Sequence, residues 1–389
     1  MEFKKVKLGD FIDTISDTTP IKKDKVILIN TSDVENGNVL NHSYVENKNL
    51  KGQFKKRFKK GDILYSEIRP KNRRFAYIDF DADDYIASTK LMVIRNKGNI
   101  NNDFLFQVLK SENIINHLQM LAETRSGTFP QITFTELSNV EIFIPIIENQ
   151  EKISSFLKNI DKKIELNNKI NDNLFKFAIN YLNDKKEDTE VPVSKFAKIQ
   201  GGYAFKSKDL IDNKTDNRII KIKNLRSELN ADVTNSQFVE DEVANNIDSK
   251  FKLNKGDVTI AMTGAELGKT GFIYGFDKYY LNQRVGVIRG ENKEGDLYLK
   301  LLFLSDEFQT FLNSKGYGSA QPNISTSDIE SILVNDITEK NLKDIYERLN
   351  AIYYRIISNC EENLNLEQLR DTLLPKLMNG EIDLDKIEI

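Results

Sequence analysis

The chain is short of the side chains that most chemistry needs. Among its 389 residues there is one cysteine, Cys360, so no internal disulfide can form and a reducing cytoplasm is the expected compartment. Only two histidines, His42 and His117, are present, and with Cys360 they assemble no zinc site and no Cys–His nucleophile pair of normal spacing. His42 falls in a turn and His117 on a helix, and both read as structural residues. The seven prolines include no Pro-Pro pair and none that precedes an aspartate. That excludes the Asn/Asp-Pro-Pro-aromatic motif of methyltransferases that attack an exocyclic amine, and the Pro-Asp opening of a common nuclease motif. No apolar run approaches the roughly 18 residues of a membrane span. The opening MEFKKVKLGDFID has no signal-peptide stretch either. A soluble, non-enzymatic protein is expected, and its length calls for more than one core.

Charge is also lacking as a bulk signal. A formal net charge of −3 excludes a uniformly cationic nucleic-acid binder. The distribution says more. Residues 51–74, KGQFKKRFKKGDILYSEIRPKNRR, hold ten basic and two acidic residues, a local patch of the kind that meets phosphates.

The strongest positive feature is an internal repeat. RSGTFPQITFTEL at 125–137 returns as YGSAQPNISTSDI at 317–329, with Pro130 and Pro322 separated by 192 residues. KKGDILYSEI at 59–68 matches NKGDVTIAMT at 254–263: a Lys-Gly-Asp turn, then an alternating strand. Second strands follow (FAYIDF, TGFIYGF), then strands ending Ile94-Arg95 and Ile288-Arg289, then short helices around 103–122 and 296–313. Each half is therefore expected to be a mixed α+β unit on one scaffold. GAELGKT at 264–270 resembles a phosphate-binding loop, but three residues separate its glycines where four are needed. The segment after it reads as a strand, so the helix N-terminus that would hold phosphate is missing. A hairpin tip is the expectation, with Lys269 as a phosphate contact.

After each copy of the repeat comes a segment of different character. With Ile153 at a d position, Leu157, Ile160, Ile164, Asn167, Asn171, Leu174, Ala178 and Tyr181 follow at heptad spacing. The second copy gives Ile345, Leu349, Ile352, Ile356, Asn359, Asn363, Leu366, Arg370 and Leu373. Two asparagines recur at matched seam positions, where a buried Asn costs stability and fixes register. Folding about a pseudo-two-fold axis would run the helices antiparallel, with Asn167 facing Asn363 and Asn171 facing Asn359. A helix of this length spans roughly 50 Å, so the expected molecule is a dumbbell holding two units a turn or more of B-DNA apart, one turn being about 34 Å. Phe156, Phe175 and Phe177 lie off the seam and predict an apolar outer surface that awaits partners.

These features together resemble the specificity (S) subunit of type I restriction–modification enzymes. The resemblance runs through SGTFPQITFTELSNVEIFIPIIENQEKISSFLKNIDKKIELNNK at 126–169 and LEQLRDTLLPKLMNGEI at 366–382. In the second half it includes GGYAFKSKDLIDNKTDNRIIKIKNL at 201–225 and LNQRVGVIR at 281–289. Two places depart from the pattern: VNDITEKNLKDI at 334–345 lacks the Pro145 and Gln150 of the first copy, and the first half has no good match to GGYAF. The resemblance implies two tandem pseudo-symmetric α/β target recognition domains separated by two long antiparallel coiled-coil helices. Recognition domains would occupy 1–145 and 186–337, with helical spacers at 146–185 and 338–389. It implies double-stranded DNA as ligand, and two methyltransferase (modification) subunits and restriction subunits as partners. S-adenosylmethionine, ATP and Mg would sit on those partners, with no cofactor in this chain.

Affinity for a duplex comes from Lys and Arg near phosphates, and sequence choice from side chains at base edges. The first half offers Arg69, Lys71, Arg73 and Arg74 on one turn, and Arg125, Ser126, Thr128 and Gln131 in the repeated motif. The second offers Lys206, Arg218, Lys221, Lys223, Arg226, Lys269, Arg284, Ser319, Gln321 and Asn323. Asn167, Asn171, Asn359 and Asn363 are the expected helix-pairing residues, and no metal ligands are expected. Two readings from other classes stay open at this point: a duplicated scaffold that binds protein or glycan without DNA, and a nucleotide-dependent enzyme acting through GAELGKT.

Overall fold

A computed structural model describes residues 3–50, 52–124, 130–226, 229–275, 277–315, 323–378 and 381–382. The chain forms two compact units, Met1–Lys162 with Leu366–Ile389, and Lys163–Asn365, so the limits between them fall inside both long helices.

The first unit builds an antiparallel four-stranded sheet in the order Ile12–Ile15, Leu91–Asn96, Ile63–Ser66, Phe75–Tyr77. A mixed sheet runs Tyr44–Glu46, Lys25–Ile29, Tyr85–Ser88, Phe54–Lys56, its two central strands parallel. Phe3–Lys7 pairs with Glu141–Pro145 in a ribbon. The second unit repeats all three pieces. Its antiparallel sheet runs Ala197–Gly201, Val285–Gly290, Val258–Ala261, Thr270–Phe272. Its mixed sheet runs Gln237–Phe238, Asn217–Ile220, Lys278–Leu281, Lys252–Leu253, again with a parallel central pair. Its ribbon joins Glu190–Pro192 to Leu333–Asn335.

Strand periodicity explains how one sheet serves two cores. In Ile63–Ser66 every residue is buried. Ile63 and Tyr65 face a core shared with helices Asn102–Leu109 and Glu112–Glu123, while Leu64 faces the second sheet beside Ile27, Ile29 and Ala87. Alternate side chains point to opposite faces, and both faces are covered. The Lys-Gly-Asp turns are built alike. Gly61 and Gly256 sit at φ +90 and +80, which a side chain would resist. The next residue accepts from a backbone amide three residues back: Asp62 from Lys59 and Asp257 from Asn254, each at 2.8 Å. Each aspartate also pairs with the arginine near the end of the neighbouring strand, Arg95 at 2.7 Å in the first unit and Arg289 in the second.

The repeated motif closes each domain through a capping box. Thr133 and Glu136 cap Phe134–Ser138, and Ser325 and Asp328 cap Thr326–Glu330, the N-cap hydroxyl and the N3 carboxylate satisfying orphan helix amides reciprocally. The long helices are Ile147–Asn183 and Glu339–Met378. Seam residues Ile153, Leu157, Ile160, Asn167, Asn171, Ala178, Ile345, Leu349, Ile356, Asn359 and Asn363 are buried. Within the second unit Asn167 Nδ2 donates to Asn363 Oδ1 at 2.9 Å and Asn359 Nδ2 donates to Asn171 Oδ1 at 2.7 Å. Numbers rise along one helix as they fall along the other, so the pair is antiparallel. The off-seam phenylalanines differ from expectation. Phe156 and Phe175 pack against the globular cores, and only Phe177 stays exposed, because each helix contacts its domain as well as its partner.

Gln150 shows why the second copy departs from the first at this point. Its side chain is buried, donates to Pro145 O and accepts from Asn101 N, both at 2.9 Å, tying the start of the first long helix to its domain. At the matching place in the second copy the buried residue is Leu342, which makes the joint by apolar packing alone.

Candidate nucleic-acid interface

Both units bring the same three backbone segments together at one rim of the antiparallel sheet. In the first, Gln131 bridges Ile68, Ile132 N donates to Glu67 O at 2.8 Å, and Glu67 N donates to Lys90 O at 3.0 Å. In the second, Asn323 bridges Thr263, Ile324 N donates to Met262 O at 3.0 Å, and Met262 N donates to Arg284 O at 3.1 Å. Each rim therefore joins the main chain of a carboxamide residue and that of a cation to one strand end, Gln131 and Lys90 in the first half and Asn323 and Arg284 in the second. Lys90 Nζ donates to Gln131 Oε1 at 3.1 Å. Beside Arg284, the GGYAF stretch seats its backbone on Asn282. Tyr203 N donates to Leu281 O at 2.8 Å, and a Cβ on Gly202 would lie 2.1 Å from Asn282 O, so only glycine fits. Tyr203, partly exposed, packs edge-on with Phe205 and Phe251, a small aromatic platform at the rim.

The basic turn at 69–74 divides by direction. Arg69 and Lys71 are exposed, Arg69 with left-handed backbone at φ 45. Arg73 pairs with Glu112, and burial pulls its pKa down against the opposing pull of Asp371. Arg74 pairs with Glu35 at 3.3 Å and reaches the carbonyls of Ser32 and Val34. Those two arginines join elements of the first unit. In the second unit Arg218 pairs with Asp277, donates to Val233 O at 3.2 Å and stacks over Phe238. Lys221 donates to Gln237, and burial lowers its pKa. Lys269 pairs with Glu266 on the 264–268 turn, and the strands on either side of it are antiparallel neighbours, so GAELGKT is a hairpin tip. Arg226 is exposed but pairs with Asp232 at 2.7 Å. Lys206, Lys223, Arg284 and Asn323 are exposed, and no side-chain hydrogen bond or ion pair holds them among the described residues. Arg125, Ser126, Thr128, Ser319 and Gln321 lie outside the described residues.

Lys90 is the residue that sequence reading passed over. The signal was present: aligning Ile94-Arg95 with Ile288-Arg289 also aligns Lys90 with Arg284. Next to it, Lys56 donates to the carbonyls of Thr89 and Leu91, both at 2.9 Å, and burial depresses its pKa while Glu67 opposes that. His42 accepts or donates at Nδ1 to Tyr85 Oη, 2.7 Å away, and His117 is exposed on its helix. Among the described residues no group of three His, Cys, Asp or Glu side chains could hold a metal ion, and no helix is long and apolar enough to cross a membrane.

Comparison with known proteins agrees with this architecture. The family described as "Type I restriction modification DNA specificity domain" matches twice, at residues 1–176 and 186–368. The type I restriction enzyme HindI specificity subunit of Haemophilus influenzae is 30% identical, over 98% of this chain and 100% of that one. The MjaIX specificity subunit of Methanocaldococcus jannaschii is 22% identical, over 85% and 79% of the two chains. A crystal structure of a type I restriction–modification system S subunit from M. genitalium shares the fold, with a TM-score of 0.54 and 15% identity over 97% of this chain and 96% of that one. The doubled scaffold, the doubled family match and the full-length relative agree: this chain belongs to the type I restriction–modification DNA specificity family.

Proposed function

We propose that the chain reads a split, asymmetric DNA site for a type I restriction–modification complex. Residues 1–145 and 186–337 each take one half-site. The helical segments 146–185 and 338–389 set the spacing and dock two methyltransferase subunits, through which restriction subunits join. The partners carry S-adenosylmethionine, ATP and Mg, the target base is adenine, and the complex works in the cytoplasm.

The observation that carries this reading is the repeated rim. The same backbone ladder returns in both units, yet its outward side chains differ: Lys90 and Gln131 in one, Arg284, Asn323 and an aromatic platform in the other. A shared scaffold with divergent base-reaching side chains suits two unlike half-sites. The test is a base-resolution map of methylated adenines in a methylation-free host that expresses this chain with its methyltransferase subunit. The expected map is two short blocks around a fixed unspecified spacer, lost when this chain is omitted. A map indifferent to this chain, with both proteins soluble and the partner active, leaves the non-DNA scaffold.

A further inference from the structure

We propose that Lys90 and Arg284 are the matched base-edge readers of the two half-sites, each working with the carboxamide beside it, Gln131 or Asn323. The proposal rests on the DNA-reading function above. It deepens that function by choosing, among many basic residues, the pair that discriminates.

Placement is the first argument. Lys90 and Arg284 each immediately precede the strand that carries the aspartate-paired arginine, Leu91–Asn96 or Val285–Gly290. Their carbonyls accept equivalent amides, from Glu67 and Met262. Two cations are thus held at one point of a common scaffold by main-chain bonds that do not depend on their side chains. Availability is the second. Lys90 keeps 48% of its side chain accessible, and Arg284 is exposed. Arg73, Arg74, Arg218 and Lys221 spend their donors on groups within their own units. Among the described residues only Glu67, 3.7 Å from Lys90, opposes the charge at the first rim, and Met262 stands at that place in the second.

Donor and acceptor counting then separates the two half-sites. Lysine has donors only, so the Gln131 atom that faces it is the oxygen. With one lone pair of that oxygen engaged, Gln131 still presents two amide donors, and the Lys90–Gln131 pair is richer in donors than in acceptors. The base edge that suits it carries acceptors, as guanine does at O6 and N7. In the second unit no described group engages the Asn323 carboxamide, which keeps a donor and an acceptor, the combination that reads adenine at N6 and N7. Arg284, tied to the same Met262 main chain, adds the fork that fits guanine. The two rims therefore differ in code while sharing a frame.

The experiment uses the complete complex of this chain with its methyltransferase subunits, carrying Lys90→Ala or Arg284→Ala. Methylated adenines are mapped in the methylation-free host, and equilibrium binding is measured on the wild-type duplex and on duplexes changed at single bases. Lys90→Ala is expected to relax at least one position in one block only, and Arg284→Ala in the other block only, with the spacer unchanged. At that position the discrimination between duplexes, about tenfold to a hundredfold for a bidentate contact, should collapse. The binding series answers the question even if a variant complex no longer methylates. Wild-type specificity in both variants, relaxation of the same block by both, or equal weakening on every duplex overturns the proposal, the last because it marks a phosphate contact. If the wild-type complex itself yields no split motif, the DNA-reading function has failed instead.

Discussion

At the scale of single residues, the aspartate of each Lys-Gly-Asp turn ties a hairpin to its neighbouring strand. Asp62 accepts from Lys59 N and takes both Nε and Nη2 of Arg95 at 2.7 Å while almost fully buried. Asp257 takes Nη1 of Arg289, whose Nη2 donates to Lys252 O at 2.9 Å. Asp62→Asn and Asp257→Asn should each cost about 1–3 kcal/mol, since the arginine stays behind without its charge partner. Urea unfolding checks this, and the midpoint should fall with little change in slope. Tyrosines supply a second prediction. Burial pushes Tyr279 up to about 12, and it also raises Tyr65, Tyr298 and Tyr353. A folded pKa above the unfolded one means that the unfolded chain releases its proton first, so stability falls as pH climbs through about 10 and beyond. Tyrosinate absorbance should show part of the 14 tyrosines silent until a cooperative alkaline transition. Arg73, Arg74, Arg218 and Lys221 are likewise held by partners close by in the fold. A run of basic letters records charge but not direction, and these four turn toward acids or carbonyls of their own unit.

At the scale of elements, the two long helices carry matched seams with unmatched supports. In the first unit Arg370 pairs with Asp161 at 3.0 Å, and Lys110 and Gln107 join the same carboxylate. Burial raises the Asp161 pKa, but Lys110 and Arg370 outweigh it and hold the carboxyl below its usual range. Its contribution is therefore complete above about pH 4 and is lost as pH falls through the depressed value. At the repeat-equivalent places the second unit has Ala178, Tyr353 and Leu304, all buried and uncharged, with the Tyr353 hydroxyl donating to Gly256 O at 2.9 Å. Arg370→Ala should destabilise by about 1–3 kcal/mol. The triple change Lys110→Leu, Asp161→Tyr, Arg370→Ala should cost far less than the sum of its parts, because these groups act as one network. Chemical unfolding of the single and triple variants decides it. The asparagine pairs call for the opposite experiment. Asn167→Leu with Asn363→Leu should raise the melting temperature, since each buried amide pair is kept at a cost to stability. The heptads were legible because seam burial is a local periodicity. The ion network was not, because Arg370 sits at a nominal seam position in the sequence and only packing reveals which acid it meets.

At the scale of the whole molecule, the net charge of −3 does not forbid an electrostatic grip, since binding depends on where cations lie. Lys55, on the strand Phe54–Lys56, and Lys59 and Lys60 just after it are exposed. If they face phosphates, neutralising all three should flatten the plot of log affinity against log salt, by up to about 0.9 for each phosphate left without its cation. Titrations of wild-type and substituted complexes on one duplex at several salt concentrations measure that slope. The specificity positions should leave a different trace, a change among sequences at fixed salt.

By itself the sequence determined what repeats. Glycine-aspartate turns, alternating strands, capping boxes and heptads are short-range patterns, and a duplication writes each of them twice. That was enough for the fold class, for the antiparallel helices and for the absence of a catalytic constellation as an expectation. Only the tertiary structure decided which side chains are left over. Lys90 carries no motif of its own, and it becomes notable when Glu67, Gln131 and Lys56 arrive beside it from distant parts of the chain. Arg73 is conspicuous in the sequence and is drawn inward by Glu112. The reason is physical. Secondary structure follows neighbours within a few residues, whereas the exposure and partner of a charge depend on packing between segments that no local pattern records.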